Sequence, residues 1–253
     1  MKVSVYIFTL ILFISNLYAK GENVEKILDE ANRAYINEEY KYAEEQYEKI
    51  IDMGYASASL YYNLGNTYFM EEKFGPAILY YERAKRLNPS NEDILHNLKI
   101  ANSRIVDKVE PVPELFYKKW WRNLLTMQNS NGWAITGIIL TVCFFISLSV
   151  YLLSKSIKIK KFTFYTALII LLLNAFSLIF AYRSYQIQIA DNYAIVMSIR
   201  TTAKSAPSET SPDVFVIHEG AKVKTSNKIG EWVEIKLENG SVGWIKEDAI
   251  EII

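Results

Sequence analysis

Asn32 and Asn66 stand 34 residues apart, and Asn63 and Asn97 repeat the same interval. A side-chain amide offers hydrogen-bond donors and acceptors without charge. A set of them at helical spacing suits the backbone of an extended peptide. Reactive chemistry is otherwise sparse. The two histidines, His96 and His218, lie in separate segments and read as exposed polar residues. The single cysteine, Cys143, falls inside an apolar run, so no disulfide can form within the chain. The sequence shows no nucleophile elbow, phosphate loop, paired-carboxylate motif or metal-ligand spacing. It therefore predicts no catalytic residue, no metal site and no cofactor, and a protein that is not an enzyme. Its 28 basic and 28 acidic residues balance, which argues against nucleic acid as a partner.

The elements that must carry the asparagines are helices. Displaced by 34, EEYKYAEEQYEKI (38–50) falls on EKFGPAILYYERA (72–84), with Tyr40 on Phe74, Ala43 on Ala77 and Tyr47 on Tyr81. A 34-residue period is the mark of tetratricopeptide helix pairs. The second copy carries the pattern well, in Tyr61, Leu64, Gly65, Tyr68, Phe74, Ala77, Tyr81, Ala84 and Pro89. Gly65 and Ala77 allow a close helix approach, and Pro89 ends the second helix. The first copy is degenerate, with Glu30 and Ala31 in place of Leu64 and Gly65. After Pro89, a cap at Ser90 or Asn91 and acids at 92 and 93 open a covering helix. Residues 20–110 are thus expected to form an all-α tetratricopeptide repeat domain.

In such domains the first helix of each pair lines a concave groove. Leu28, Asn32 and Tyr35 recur as Tyr62, Asn66 and Phe69, with Asn63 and Asn97 beside that line. These eight residues are the expected partner-binding groove, although they also read as ordinary polar and packing positions of helices. The asparagines resemble those of carboxylate-clamp tetratricopeptide domains, but Leu28 stands where a clamp lysine would be, which argues against a C-terminal carboxylate as ligand.

Two runs, 133–153 and 162–182, contain 21 residues each without Asp, Glu, Lys or Arg. At about 1.5 Å per residue each reaches across roughly 30 Å of hydrocarbon, so both are predicted transmembrane helices. Between them SKSIKIKK (154–161) carries four lysines. Residues 1–19, with Lys2, an apolar core and Ala19 before the cleavage point, read as a signal peptide. A signal sends residues 20 onward outward, and the first span returns the chain. The lysine loop is then cytoplasmic, in accord with the positive-inside rule, and both soluble segments are extracytoplasmic. The linker, 111–132, includes LFYKKWWRNLL (115–125), whose Phe116, Trp120 and Trp121 interleave with Lys118, Lys119 and Arg122. It reads as an interfacial belt on membrane lipid. Asn174 is expected to bond Thr141 or Ser147 across the hairpin.

Residues 193–253 contain short strand-like runs, YAIVMS, VFVIH, AKVKT, WVEIKL and VGWIK, and Asn239-Gly240 signals a hairpin whose two central residues accept positive φ. About five short strands imply a small all-β barrel. Pro207, Gly220, Trp232, Gly240, Gly243 and Trp244 give the segment its resemblance to a bacterial SH3 domain, with Ala206 where glycine is usual. Trp232 and Trp244 are the candidate SH3 surface, though packing roles suit them better.

The order of these parts is itself distinctive. With NLKIANSRIVDKVEPVPE followed by KKWWR, the whole chain resembles the BatE family of the Bacteroides aerotolerance (Bat) proteins. The resemblance implies a non-enzymatic inner-membrane scaffold. Its implied partners are Bat proteins with von Willebrand factor A domains and, indirectly, a MoxR-type ATPase, with a link to oxidative-stress tolerance. The competing reading is a wall-binding or wall-sensing protein that reads peptidoglycan through the SH3 domain.

Overall fold

The computed structural model describes residues 23–108, 115–189 and 193–253. The expected signal peptide and the prolines of the linker lie outside the described residues. Helix α1 (23–36) pairs with α2 (Tyr40–Asp52), and α3 (Ala58–Met70) with α4 (Phe74–Leu87), while α5 (Glu92–Arg104) covers the second pair. The two turns are copies of one another. Glu38 and Glu72 adopt left-handed backbone, φ 64 and 61. Glu39 N then donates to Ala34 O and Lys73 N to Tyr68 O, each at 2.9 Å, which closes each first helix in a Schellman turn. Side chains start α3 and α5: Ser57 Oγ accepts from Leu60 N at 3.1 Å, and Asn91 Oδ1 from Ile94 N at 2.9 Å. Helix α4 stops just before Asn88-Pro89.

Ala31, Ala43, Leu64 and Ala77, all fully buried, form the seam between the paired helices, with the Tyr47 and Tyr81 rings closed in beside them. The close approach at Gly65 is real. A Cβ there would lie 2.7 Å from the Tyr81 ring.

Helices α6 (Phe116–Leu125), α7 (Ser130–Leu153) and α8 (Ile157–Ile189) follow. α7 and α8 are long and apolar enough to cross a membrane, with mean hydropathy 2.3 and 2.2, yet only 11% and 17% of their most apolar windows is buried. Core helices of a soluble fold would be covered; these present apolar surface outward. Asn174 Nδ2 donates to Thr141 Oγ1 at 2.7 Å, whereas Ser147 bonds the Thr163 carbonyl and the Thr166 hydroxyl instead. The connection is tighter than the eight residues expected, because α8 begins at Ile157 and takes Lys158, Lys160 and Lys161 into its first turns. Nothing in IKIKK opposes a helix, and lysine favours one. The same helix continues past residue 182 to Ile189.

The C-terminal part is an antiparallel sheet of seven strands in the order β3-β2-β6-β5-β4-β1-β7, consistent with an SH3-like fold. They are β1 (Tyr193–Val196), β2 (Arg200–Lys204), β3 (Asp213–His218), β4 (Lys222–Ile229), β5 (Trp232–Lys236), β6 (Val242–Lys246) and β7 (Ile250–Ile252). Two of these, β2 and β7, were not among the five runs expected. RTTAK is polar, and IEI is a three-residue edge held only by β1. The β5–β6 hairpin forms at Asn239-Gly240, but of the two residues only Gly240 has positive φ, at 94. Gly240 N bonds Leu237 O at 3.0 Å, and Asn239 Oδ1 accepts from Ser241 N at 3.0 Å. The connection is a three-residue turn ending in left-handed glycine, not the two-residue one.

Candidate protein-binding groove

The asparagines meet in two equivalent rungs. Asn32 Oδ1 accepts from the Tyr47 hydroxyl at 2.7 Å and from Asn63 Nδ2 at 3.2 Å. One period later, Asn66 Oδ1 accepts from the Tyr81 hydroxyl at 2.7 Å and from Asn97 Nδ2 at 2.9 Å. Each rung ties two neighbouring first helices, α1 to α3 and α3 to α5, to a tyrosine of the second helix behind them. Burial pushes the Tyr47 hydroxyl up to about 12 and raises Tyr81 as well, so both remain neutral donors at any physiological pH.

The rungs leave part of each amide free. Among the described residues nothing else engages Nδ2 of Asn66 or Oδ1 of Asn97. One donor and one acceptor, on two half-buried residues bonded to each other, match the alternating donors and acceptors of an extended backbone. Around them opens a cavity of ≈ 210 Å³ that gathers Tyr35, Asn66, Phe69 and Asn97 with Met70, Tyr81 and Ile100. The aromatic edge is also periodic: Tyr35 meets Tyr40, and Phe69 meets Phe74, edge to face at 5.5 and 5.6 Å. The middle helix, ASLYYNLGNTYFM, contains no acid, no Lys, no Arg and no His, so the floor of the groove is neutral.

Four expected residues lie off this cavity. Leu28 packs on the repeat core, Asn32 and Asn63 form the first rung, and the Tyr62 hydroxyl accepts from Asn97 Nδ2 at 2.9 Å, behind the second. Sequence reading missed Met70 and Ile100, one turn beyond Asn66 and Asn97; helical spacing was the signal that could have found them. Tyr81, expected only as a position of the repeat pattern, is a buried ring that also borders the cavity.

The other candidates sit elsewhere. Trp232 is buried beneath Lys246, whose Nζ lies 5.9 Å from its ring centre, and Glu209 holds that lysine at 2.6 Å. Trp244 faces Glu234 across the β5–β6 ladder and is half-buried. His96 is exposed. His218 is not the exposed residue expected: its backbone N–H donates to Asp107 Oδ2 at 2.6 Å, and its Nδ1 lies 3.1 Å from Oδ1 of the same carboxylate. Among the described residues no group of His, Cys, Asp and Glu could hold a metal ion.

A tetratricopeptide-repeat family model matches residues 58–91, that is α3, α4 and the turn to α5. No curated protein matches the chain. The tetratricopeptide repeat is a non-catalytic fold that supports protein–protein interaction, and this chain carries it together with two apolar helices and an all-β domain.

Proposed function

We propose that the protein is a non-enzymatic, membrane-anchored scaffold that binds protein partners through its repeats, which lie outside the cytoplasm. The observation that carries this reading is the second Asn–Tyr–Asn rung, whose Asn66 and Asn97 each keep an unbonded amide atom and line one uncharged cavity with Phe69, Met70 and Ile100. The ligand is an extended peptide segment with apolar side chains, held by its backbone and not by a terminal carboxylate. α7 and α8 form the anchor, and Phe116, Trp120 and Trp121, all exposed on α6, rest in the lipid interface. The signal peptide and the lysines of 154–161 support an inner membrane with both soluble domains in the periplasm. Contact between the repeats and the β domain supports a shared side, since segments on opposite faces of a bilayer cannot touch. The order of domains and the segment NLKIANSRIVDKVEPVPE with KKWWR support membership of the BatE family. Its partners would then be Bat proteins with von Willebrand factor A domains and, through them, a MoxR-type ATPase, in a complex linked to aerotolerance. The β domain is then a bacterial SH3 domain with a positioning role.

A pull-down with the tagged full chain in mild detergent tests the scaffold. Partners retained by the wild type are lost from an Asn66→Ala/Phe69→Ala variant whose helicity is unchanged; their retention overturns the groove. A reporter active only outside the cytoplasm works after Ile253 and is silent at Ser156. The reverse pattern overturns the orientation.

A further inference from the structure

The outer face of α4 is covered by the β domain. Ile78 is fully buried there. Above it lies Gly220, φ +85, where an added Cβ would stand 2.5 Å from Ile105 and 3.2 Å from Ile78. One turn on, the buried Glu82 takes Lys222 Nζ at 2.8 Å. Arg83 Nη2 donates to Glu251 Oε1 at 2.9 Å and to the Ile252 carbonyl at 2.6 Å, and Arg86 donates to the Ile253 carbonyl. Ile195, Met197 and Ile253 join the apolar core of the repeats itself. Beyond α5, Asp107 grips His218 as described above.

Two helix pairs and one covering helix make a short array. Repeat domains gain their stability from neighbours stacked on both sides, and about three repeats are the usual minimum. We infer that the β domain serves as the missing neighbour: it sits against α4 and the end of α5, where the second helix of another repeat would lie, and so holds the groove in shape. The link is short. Tyr81, whose hydroxyl anchors the second rung, is adjacent in sequence to Glu82, whose carboxylate anchors the β domain. No β-domain residue lines the groove cavity, so Gly220, Lys222 and Glu251 are positioning residues that act through α4. This inference rests on the groove reading given above.

The test uses the full chain in lipid nanodiscs. The probe is a seven-residue peptide selected from a phage library on the wild type and required to lose binding to Asn66→Ala/Phe69→Ala. Arg83→Glu and Glu251→Arg each reverse one side of a contact at the edge of the interface, and together they restore opposite charges. Lys222→Met disrupts its buried centre. Each single variant is expected to speed amide exchange along α4 and α5 and to weaken the probe about tenfold, within the usual range of coupling between sites. Exchange in α7 and α8 stays unchanged, and the Arg83→Glu/Glu251→Arg pair recovers most of the affinity. Unchanged exchange in every single variant overturns the seat. Faster exchange with undiminished probe affinity overturns the coupling and leaves the groove standing. A library that yields no peptide sensitive to Asn66 and Phe69 overturns the groove and the coupling together, while exchange still decides the seat.

Discussion

Helices α2 and α4 occupy equivalent places in the two repeats, yet only their inner faces agree. Ala43 matches Ala77 and Tyr47 matches Tyr81, all buried, because both pairs must close the same gap against a first helix. The outer faces part company. Glu44, ion-paired with Lys41 and Lys73 at 3.1 and 2.7 Å, stands where α4 has the apolar Ile78 beneath Gly220. Exposed Glu45 is replaced by buried Leu79, Lys49 by Arg83 and Asp52 by Arg86. Even the shared acid differs in use: Glu48 accepts the Tyr68 hydroxyl, and Glu82 takes the lysine of another domain. Positions that close a repeat are copied; positions that meet a neighbour follow that neighbour.

The comparison breaks most sharply at the acids. Lys222→Ala leaves Glu82 buried with only Lys85, 3.5 Å away. It should cost about 3 kcal/mol, the scale for an orphaned buried charge, whereas Glu48→Gln should cost about 1 kcal/mol; denaturant midpoints of the full chain compare the two. Burial pushes the Glu82 carboxyl up, but Lys222 and Lys85 outweigh it and hold it below its ordinary value of 4.5. A group lowered in the folded state stabilises above its unfolded pKa and loses that contribution as pH falls through the folded one. Protection of α4 from exchange should therefore be flat at neutral pH and decline only as pH drops below the ordinary carboxylate range.

A second effect separates the inner faces. Gly65→Leu drives a side chain into the Tyr81 ring and should destabilise by about 2 kcal/mol, while Ala31, at the same place in the first repeat, already carries a Cβ. A smaller pair of changes tests the rungs. Tyr47→Phe and Tyr81→Phe should each cost about 1 kcal/mol in thermal or denaturant unfolding. Only Tyr81→Phe should also weaken partner capture, because Tyr81 borders the cavity and Tyr47 does not. The smallest effect is a gain. Glu38→Gly and Glu72→Gly relieve left-handed backbone at the two turns, and each should add up to about 1 kcal/mol of stability. Unequal gains would show that the two turns are less alike than their φ values.

Local chemistry made much of this molecule legible. The 34-residue interval, the aromatic spacing and Pro89 marked the helix pairs, since helix packing repeats with the chain. Two charge-free runs marked the long apolar helices, and Asn239-Gly240 marked the last hairpin. Short polar strands such as RTTAK escaped, because their pairing depends on partners distant in sequence. The asparagines were visible as a periodic set, but their bonding was not: only folding brings Tyr47 to Asn32 and Tyr81 to Asn66, which uses one side of each amide and leaves the other open.

What the sequence alone determined is therefore the kind of each part and the side chains that line its inner faces, because periodicity and hydropathy act over a few turns or strands. Tertiary structure decided which asparagine atoms are free, that His218 belongs to Asp107, and that the β domain rests on α4. The first depends on residues 15 and 31 positions apart, and the other two on contacts more than a hundred positions apart, such as Glu82 with Lys222 and Arg83 with Glu251. No local pattern encodes which of many surface acids will meet which of many lysines; packing of Ile78, Ile195 and Ile253 in one core selects them.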